Sequence, residues 1–137
     1  MKPFLGTWKF LRSDNFDEYL KGLGISYPLR ALAKLTSPTI QIGADASGKF
    51  NLKTDAVVRS VNAVFSLGHT FQETTVDFRS VSSVFSLDEE GALVSESTDN
   101  KSKICTTIKR RVTGDFMEVT MEVGEVKANA VFQRDAK

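Results

Sequence analysis

The hydrophobic rhythm of the chain changes twice. Trp8 and Phe10 alternate with Lys9 and Leu11, a two-residue period that predicts an opening strand from about Leu5 to a break at Asp14. Phe16, Tyr19, Leu20 and Leu23 then recur at helical spacing behind Ser13, Asp14 and Asn15, all suited to cap a helix. Gly22 and Gly24 are expected to end that helix, because glycine reaches left-handed backbone angles without steric cost. Leu29, Leu32, Ala33 and Leu35, set among Arg30 and Lys34, predict a second short helix over 27–35. Ser37-Pro38 closes it, since the residue before proline avoids helical angles. Neither helix is long enough to be stable alone, so both must rest on something larger, as a helix-turn-helix lid.

From Thr39 onward the period is two. Short alternating runs are separated by Asp45-Ala46-Ser47-Gly48, Gly68, Asp88-Glu89-Glu90-Gly91, Thr98-Asp99-Asn100, Thr113-Gly114-Asp115 and Gly124. Strands at this spacing mean an antiparallel meander, ten strands with the opening one counted. A meander of that length is expected to close on itself, because an open edge invites aggregation. The predicted fold is therefore all-β: a ten-stranded antiparallel up-and-down barrel, or clam, capped by the helix pair between strands one and two. Met117, Val119, Met121 and Val123 share one face, and Glu118, Thr120 and Glu122 the other. Ser82-Ser83-Val84-Phe85-Ser86 instead carries small polar residues on both faces, which suits an interior cavity partly filled with water.

Composition narrows the picture. A chain of 137 residues with 41% hydrophobic and 26% charged residues fits one domain, 1–137. A formal net charge of +1 without a basic stripe argues against nucleic acid as a partner. The first residues hold no long apolar run, and no later segment approaches the roughly 20 apolar residues that span a bilayer. Cys105 is the one cysteine, so no intrachain disulfide forms, and a reducing, cytoplasmic setting is expected.

Candidate chemistry is sparse. His69 beside Gly68 lacks spaced metal-ligating partners, so neither a metal nor a cofactor is expected. Cys105 alternates with Ile104 and Thr106 and should face away from the interior. No grouping of nucleophile, base and orienting residue is present, and no Gly-rich phosphate loop, so the chain does not read as an enzyme.

The motifs carry a resemblance. Gly6-Thr7-Trp8, Asn15-Phe16-Asp17 and Leu23-Gly24-Ile25 occur in order and at the spacing of the intracellular fatty-acid-binding protein family. The similarity continues at Pro38, Leu52-Lys53-Thr54, Phe65-Ser66-Leu67-Gly68, Phe71-Gln72-Glu73, Asp77-Phe78-Arg79, Gly91-Ala92-Leu93 and Thr106-Thr107-Ile108-Lys109-Arg110, almost the whole chain. A secreted lipocalin shares the Gly-x-Trp strand, but a helix pair between the first two strands belongs to the fatty-acid-binding family.

In that family two arginines and a tyrosine hold a lipid carboxylate deep in the barrel. The resemblance places Arg110 at the first arginine, and alternation turns it inward with Ile104, Thr106 and Ile108. The C-terminal Arg-x-Tyr falls on Ala130-Val131-Phe132, so two clamp members are absent, and Arg134, on the same strand face as Phe132, is the remaining candidate to help Arg110. Glu73, placed in the cavity wall, offers Arg110 an internal partner instead. Phe16, Leu20, Ile25, Leu29 and Ala33 are expected to form the inner face of the lid. Phe65, Phe71, Val76, Ile108, Met117, Val119, Met121, Ala130 and Phe132 are expected to face the ligand tail. Val58, where the family has phenylalanine, marks the portal together with Phe78 and Arg79, although a solvated turn charge is an equal reading of Arg79.

The resemblance implies a monomeric carrier of one long-chain fatty acid or related hydrophobic ligand. A retinoid or other isoprenoid is the alternative cargo, and a barrel with vestigial lipid binding, acting through its surface on membrane or protein, is the alternative role. Lys21, Arg30 and Lys34 give the lid cations for transient membrane contact, but Asp17 and Glu18 on the same element favour a solvated surface.

Overall fold

The computed structural model describes residues 1–35, 37–56 and 59–135. After a 3-10 turn at Lys2–Phe4, strand β1 (Gly6–Asp14) leads into helices α1 (Phe16–Gly22) and α2 (Tyr27–Lys34). The remaining strands are β2 (Thr39–Ala44), β3 (Phe50–Asp55), β4 (Ser60–Phe65), β5 (Phe71–Thr74), β6 (Ser80–Leu87), β7 (Leu93–Asp99), β8 (Cys105–Thr113), β9 (Phe116–Val123) and β10 (Val126–Arg134). They form one antiparallel sheet in the order β4-β3-β2-β1-β10-β9-β8-β7-β6-β5. Apart from β4 and β5, each strand pairs with its neighbours in sequence, and the β1–β10 ladder brings the two chain ends together. The curled sheet is thus a nearly closed barrel, with β4 and β5 facing each other at an unladdered seam.

Aromatic rings bridge that seam. Phe65 of β4 stacks on Phe85 of β6, with ring centroids 4.0 Å apart and 14° between the planes. Phe71 of β5 lies 6.0 Å from each of the two. Offset ring contacts of this kind hold the two edges where backbone hydrogen bonds do not. A bulge in β1 shifts its register between Phe10 and Arg12, leaving Leu11 without a cross-strand partner and exposed.

The lid follows its sequence signals with two exceptions. Gly24, at φ +82°, lets its N–H reach the Lys21 carbonyl and that of Ile25 reach Leu20 O, the paired bonds of a Schellman stop. Gly22 closes the helix without the left-handed angle that Gly24 adopts. It is the last helical residue, and a Cβ there would lie 2.6 Å from Val123 Cγ1, so its missing side chain lets α1 lie close against the end of β9. Asn15 stands at the N-cap position with φ 61°, but its amide donates to the Lys127 carbonyl at 2.8 Å instead of capping the helix. α2 has no fully buried residue and is tied to α1 through Arg30, which donates to Ile25 O at 2.8 Å and pairs with Asp17 at 3.1 Å.

The packed floor lies at the opposite end. Trp8, Phe4, Leu93 and Met117 are completely or almost completely buried there. Trp8 Nε1 donates to the Phe4 carbonyl at 2.9 Å, fixing the N-terminal turn against the barrel.

Candidate functional site

Alternation along β8 turns Arg110 inward, as its sequence position predicts. It sits opposite Leu93 of β7 and Val119 of β9, and only 8% of its surface is exposed. Nε and Nη1 of its guanidinium are buried without a hydrogen-bond partner. Burial pushes its pKa down to about 10, while the charges of Glu73 and Tyr19 act to raise it. Glu73 is thus electrostatically coupled to Arg110, yet no ion pair joins them among the described residues. A buried cation left in this state favours any anion that reaches it, because desolvation has already been imposed and compensation is missing.

The space around Arg110 is shaped by residues too small or too apolar to satisfy it. Arg110, Val119 and Ala130 are successive cross-strand neighbours on β8, β9 and β10. Phe132 lies two residues beyond Ala130, buried, edge-on to Phe10 at 5.7 Å. Val119, Met121, Phe65, Ala130 and Phe132 are buried, and Ile108 and Phe71 half-buried, all packed in or against the core cluster.

Three sequence expectations need correction. Arg134 does not approach Arg110. It donates to Leu5 O at 2.9 Å and Pro3 O at 2.8 Å, and its guanidinium carbon lies 4.3 Å from the Trp8 ring centroid. Two carbonyls at the N-terminal turn and the Trp8 ring thus engage its guanidinium, so its charge is used outside the interior. Met117 has no accessible surface even for water, so it belongs to the packed floor and lines no cavity. Val76 falls in the turn between β5 and β6 and not on a barrel strand, which places it at the rim.

The portal residues are partly joined. Arg79 is not a solvated turn charge: it pairs with neighbouring Asp77 and, at 3.6 Å, with Asp99. Backbone N–H groups of Ser102 and Lys101 hold the Asp99 carboxyl below its ordinary range, and Arg79 adds to this. Arg79 therefore links the β5–β6 turn to the end of β7. Phe78, at φ 70° and 57% exposed, lies beneath the Arg59 guanidinium at 4.8 Å, so the start of β4 and the turn after β5 touch across one end of the seam. Val58 lies outside the described residues. The seam itself opens as a cleft of about 550 Å³ whose walls include Arg59, Ala63, Phe71 and Glu73.

On the lid, Leu20 and Ile25 are buried, and Phe16, Leu29 and Ala33 are half-buried against the core. Sequence reasoning did not single out Tyr19, which is buried beside them. It is stacked on Phe16 at 6.2 Å, and burial raises its phenol pKa against the opposing effects of Arg79 and a hydrogen bond with Thr106. Its place in the Phe16, Tyr19, Leu20 helical series was the available signal. Lys21 pairs with Glu18 at 3.2 Å and Lys34 with Asp17 at 3.7 Å, so the lid's cations are engaged locally. Cys105 is exposed on the outer face of β8, and among the described residues no cluster of His, Cys, Asp or Glu is arranged to hold a metal.

Fold and interior define a class: a lidded antiparallel barrel with a buried guanidinium, Arg110, left without a hydrogen-bond partner at two of its nitrogens. The chain belongs to the lipocalin / cytosolic fatty-acid binding protein family, whose profile matches residues 5–135. It is 31% identical over 134 residues to human fatty acid-binding protein 9, covering 98% of each chain. The crystal structure of Echinococcus granulosus fatty-acid-binding protein 1 superposes with a TM-score of 0.94 at 29% identity, covering 99% of this chain and 100% of that one. The Schistosoma mansoni fatty acid binding protein in complex with arachidonic acid gives a TM-score of 0.93 at 34% identity, covering 99% of this chain and 98% of that one.

Proposed function

We propose that the protein is a carrier that binds one long-chain fatty acid inside the barrel, its carboxylate against Arg110 and its tail among the apolar residues of β4, β5 and β8–β10. The buried guanidinium with two unpartnered nitrogens carries this reading. Similarity to fatty-acid-binding proteins from human, Echinococcus and Schistosoma supports it. Tail burial supplies most of the affinity, at roughly 0.8 kcal/mol per methylene before ordering costs, and the headgroup supplies orientation. The exposed thiol of Cys105 fits a reducing, cytoplasmic setting, and the carrier acts as a monomer that releases its cargo unchanged.

Titration of the delipidated protein with palmitate and with methyl palmitate tests the proposal. The acid is expected to bind about tenfold or more tightly than the ester, as a charge-assisted hydrogen bond implies. Equal affinities would remove Arg110 from recognition, and no binding of either would refute the carrier reading.

A further inference from the structure

The interior wall above Arg110 is not apolar. Ser83 of β6, Ser95 and Ser97 of β7, and Thr106 of β8 turn inward, and Ser83, Ser95 and Thr106 are buried. Ser97 is the cross-strand partner of both Ser83 and Thr106, and Ser95 is that of Ile108. The four hydroxyls thus form one patch across three adjacent strands, on the face of β8 that also carries Arg110. The Ser83 and Ser97 hydroxyls meet at 2.6 Å. Two hydroxyls hold two donors and four acceptor sites between them, and one mutual bond leaves the pair with a donor and three acceptors to offer. The buried, unpartnered guanidinium at the foot of this wall is the independent sign that the space takes a ligand.

We infer that the cargo is an oxygenated fatty acid, one bearing a hydroxyl near the middle of its chain. The inference rests on the carrier reading and adds a second polar subsite to it. Its position follows from strand geometry. Ile108 and Thr106 are two and four residues from Arg110, so the hydroxyls opposite them stand about 7 and 13 Å along the strand from the headgroup position. An extended acyl chain advances a little over one ångström per carbon, so the patch faces about the sixth to the eleventh carbon of a chain anchored at Arg110.

The chemistry discriminates in a direction opposite to that of a greasy pocket. A ligand hydroxyl entering an apolar barrel loses its water without replacement and weakens binding. Facing Ser95, Ser97 and Thr106, the same hydroxyl both donates and accepts, and its desolvation is compensated. Its value is confined to the carbons that reach the patch.

Stearate, 10-hydroxystearate and 2-hydroxystearate, titrated in parallel into the delipidated protein, separate the possibilities. We expect 10-hydroxystearate to bind about fivefold more tightly than stearate, and 2-hydroxystearate to gain nothing. In the Ser95→Ala/Thr106→Val double variant the 10-hydroxystearate to stearate affinity ratio should fall to one or below. A wild-type ratio of one or less would overturn the inference while leaving the carrier reading intact. An equal gain for the 2-hydroxy acid would also overturn it, because the hydroxyl would then be recognised elsewhere. Failure of all three acids to bind would overturn both.

Discussion

Replacing Arg110 by leucine is expected to make the ligand-free protein more stable and its fatty acid binding weaker. Burial without a hydrogen-bond partner at Nε and Nη1 brings the guanidinium pKa down from the ordinary arginine range to about 10. A depression of that size corresponds to a destabilisation of the charged form of up to about 3 kcal/mol in the folded state. From about pH 10 up to the ordinary arginine range the unfolded chain holds the proton more readily than the native one, so stability contributed by this residue rises with pH there. At neutral pH both states are charged and the native state bears the whole cost. Leucine removes it while leaving the neighbouring Val119 and Leu93 an apolar contact, and a gain of about 1 to 3 kcal/mol is expected by urea denaturation. The same substitution removes the charged donor for a carboxylate, so palmitate affinity should fall about 10- to 100-fold. A less stable variant would mean that Arg110 is compensated inside the empty barrel, most simply by Glu73.

Trp8→Ala should have the opposite effect on stability. Trp8 is wholly buried, its indole N–H holds the Phe4 carbonyl, and its ring carries the Arg134 guanidinium. Truncation removes the ring from the packed floor, orphans the Phe4 carbonyl and takes the platform from beneath Arg134. The first effect alone costs about 3 to 5 kcal/mol for a buried aromatic residue. Set against a total stability of about 5 to 15 kcal/mol, that leaves a protein partly unfolded at moderate temperature. Equilibrium denaturation should show the midpoint falling sharply. Trp8→Phe should fall less, because it keeps much of the volume while still losing the hydrogen bond. A loss below about 1 kcal/mol for the alanine variant would show that the N-terminal turn, not the ring, holds the floor.

These two residues also show what a sequence can and cannot convey. Period-two alternation was enough to turn Arg110 inward and to put Met117, Val119, Met121 and Val123 on one face, because strand geometry leaves no third option. It could not tell a cavity wall from a packed floor, so Met117 read like its neighbours. The difference lies in what the ends of the barrel bring above and below each position. Arg134 illustrates a second limit: its partners are main-chain carbonyls of Pro3 and Leu5, groups every residue carries and no sequence pattern marks.

Contacts between distant elements were the other silent class. Gly22 reads only as a helix stop until Val123 is seen against it. Arg79 reads as a turn charge until Asp99 arrives from another strand. Tyr19 reads as one more apolar lid residue, although its buried phenol reaches Thr106 on the barrel wall. In each case the local residue type was visible and the partner was supplied by topology.

Carbon-13 NMR of carboxyl-labelled palmitate bound to the protein asks most directly whether Arg110 holds an ionised carboxylate inside the barrel. The bound carboxyl resonance is expected to keep its ionised position as the pH is lowered through the range in which free fatty acid protonates, and to titrate normally in Arg110→Leu. A bound resonance that titrates like the free acid in the unaltered protein would contradict the assignment.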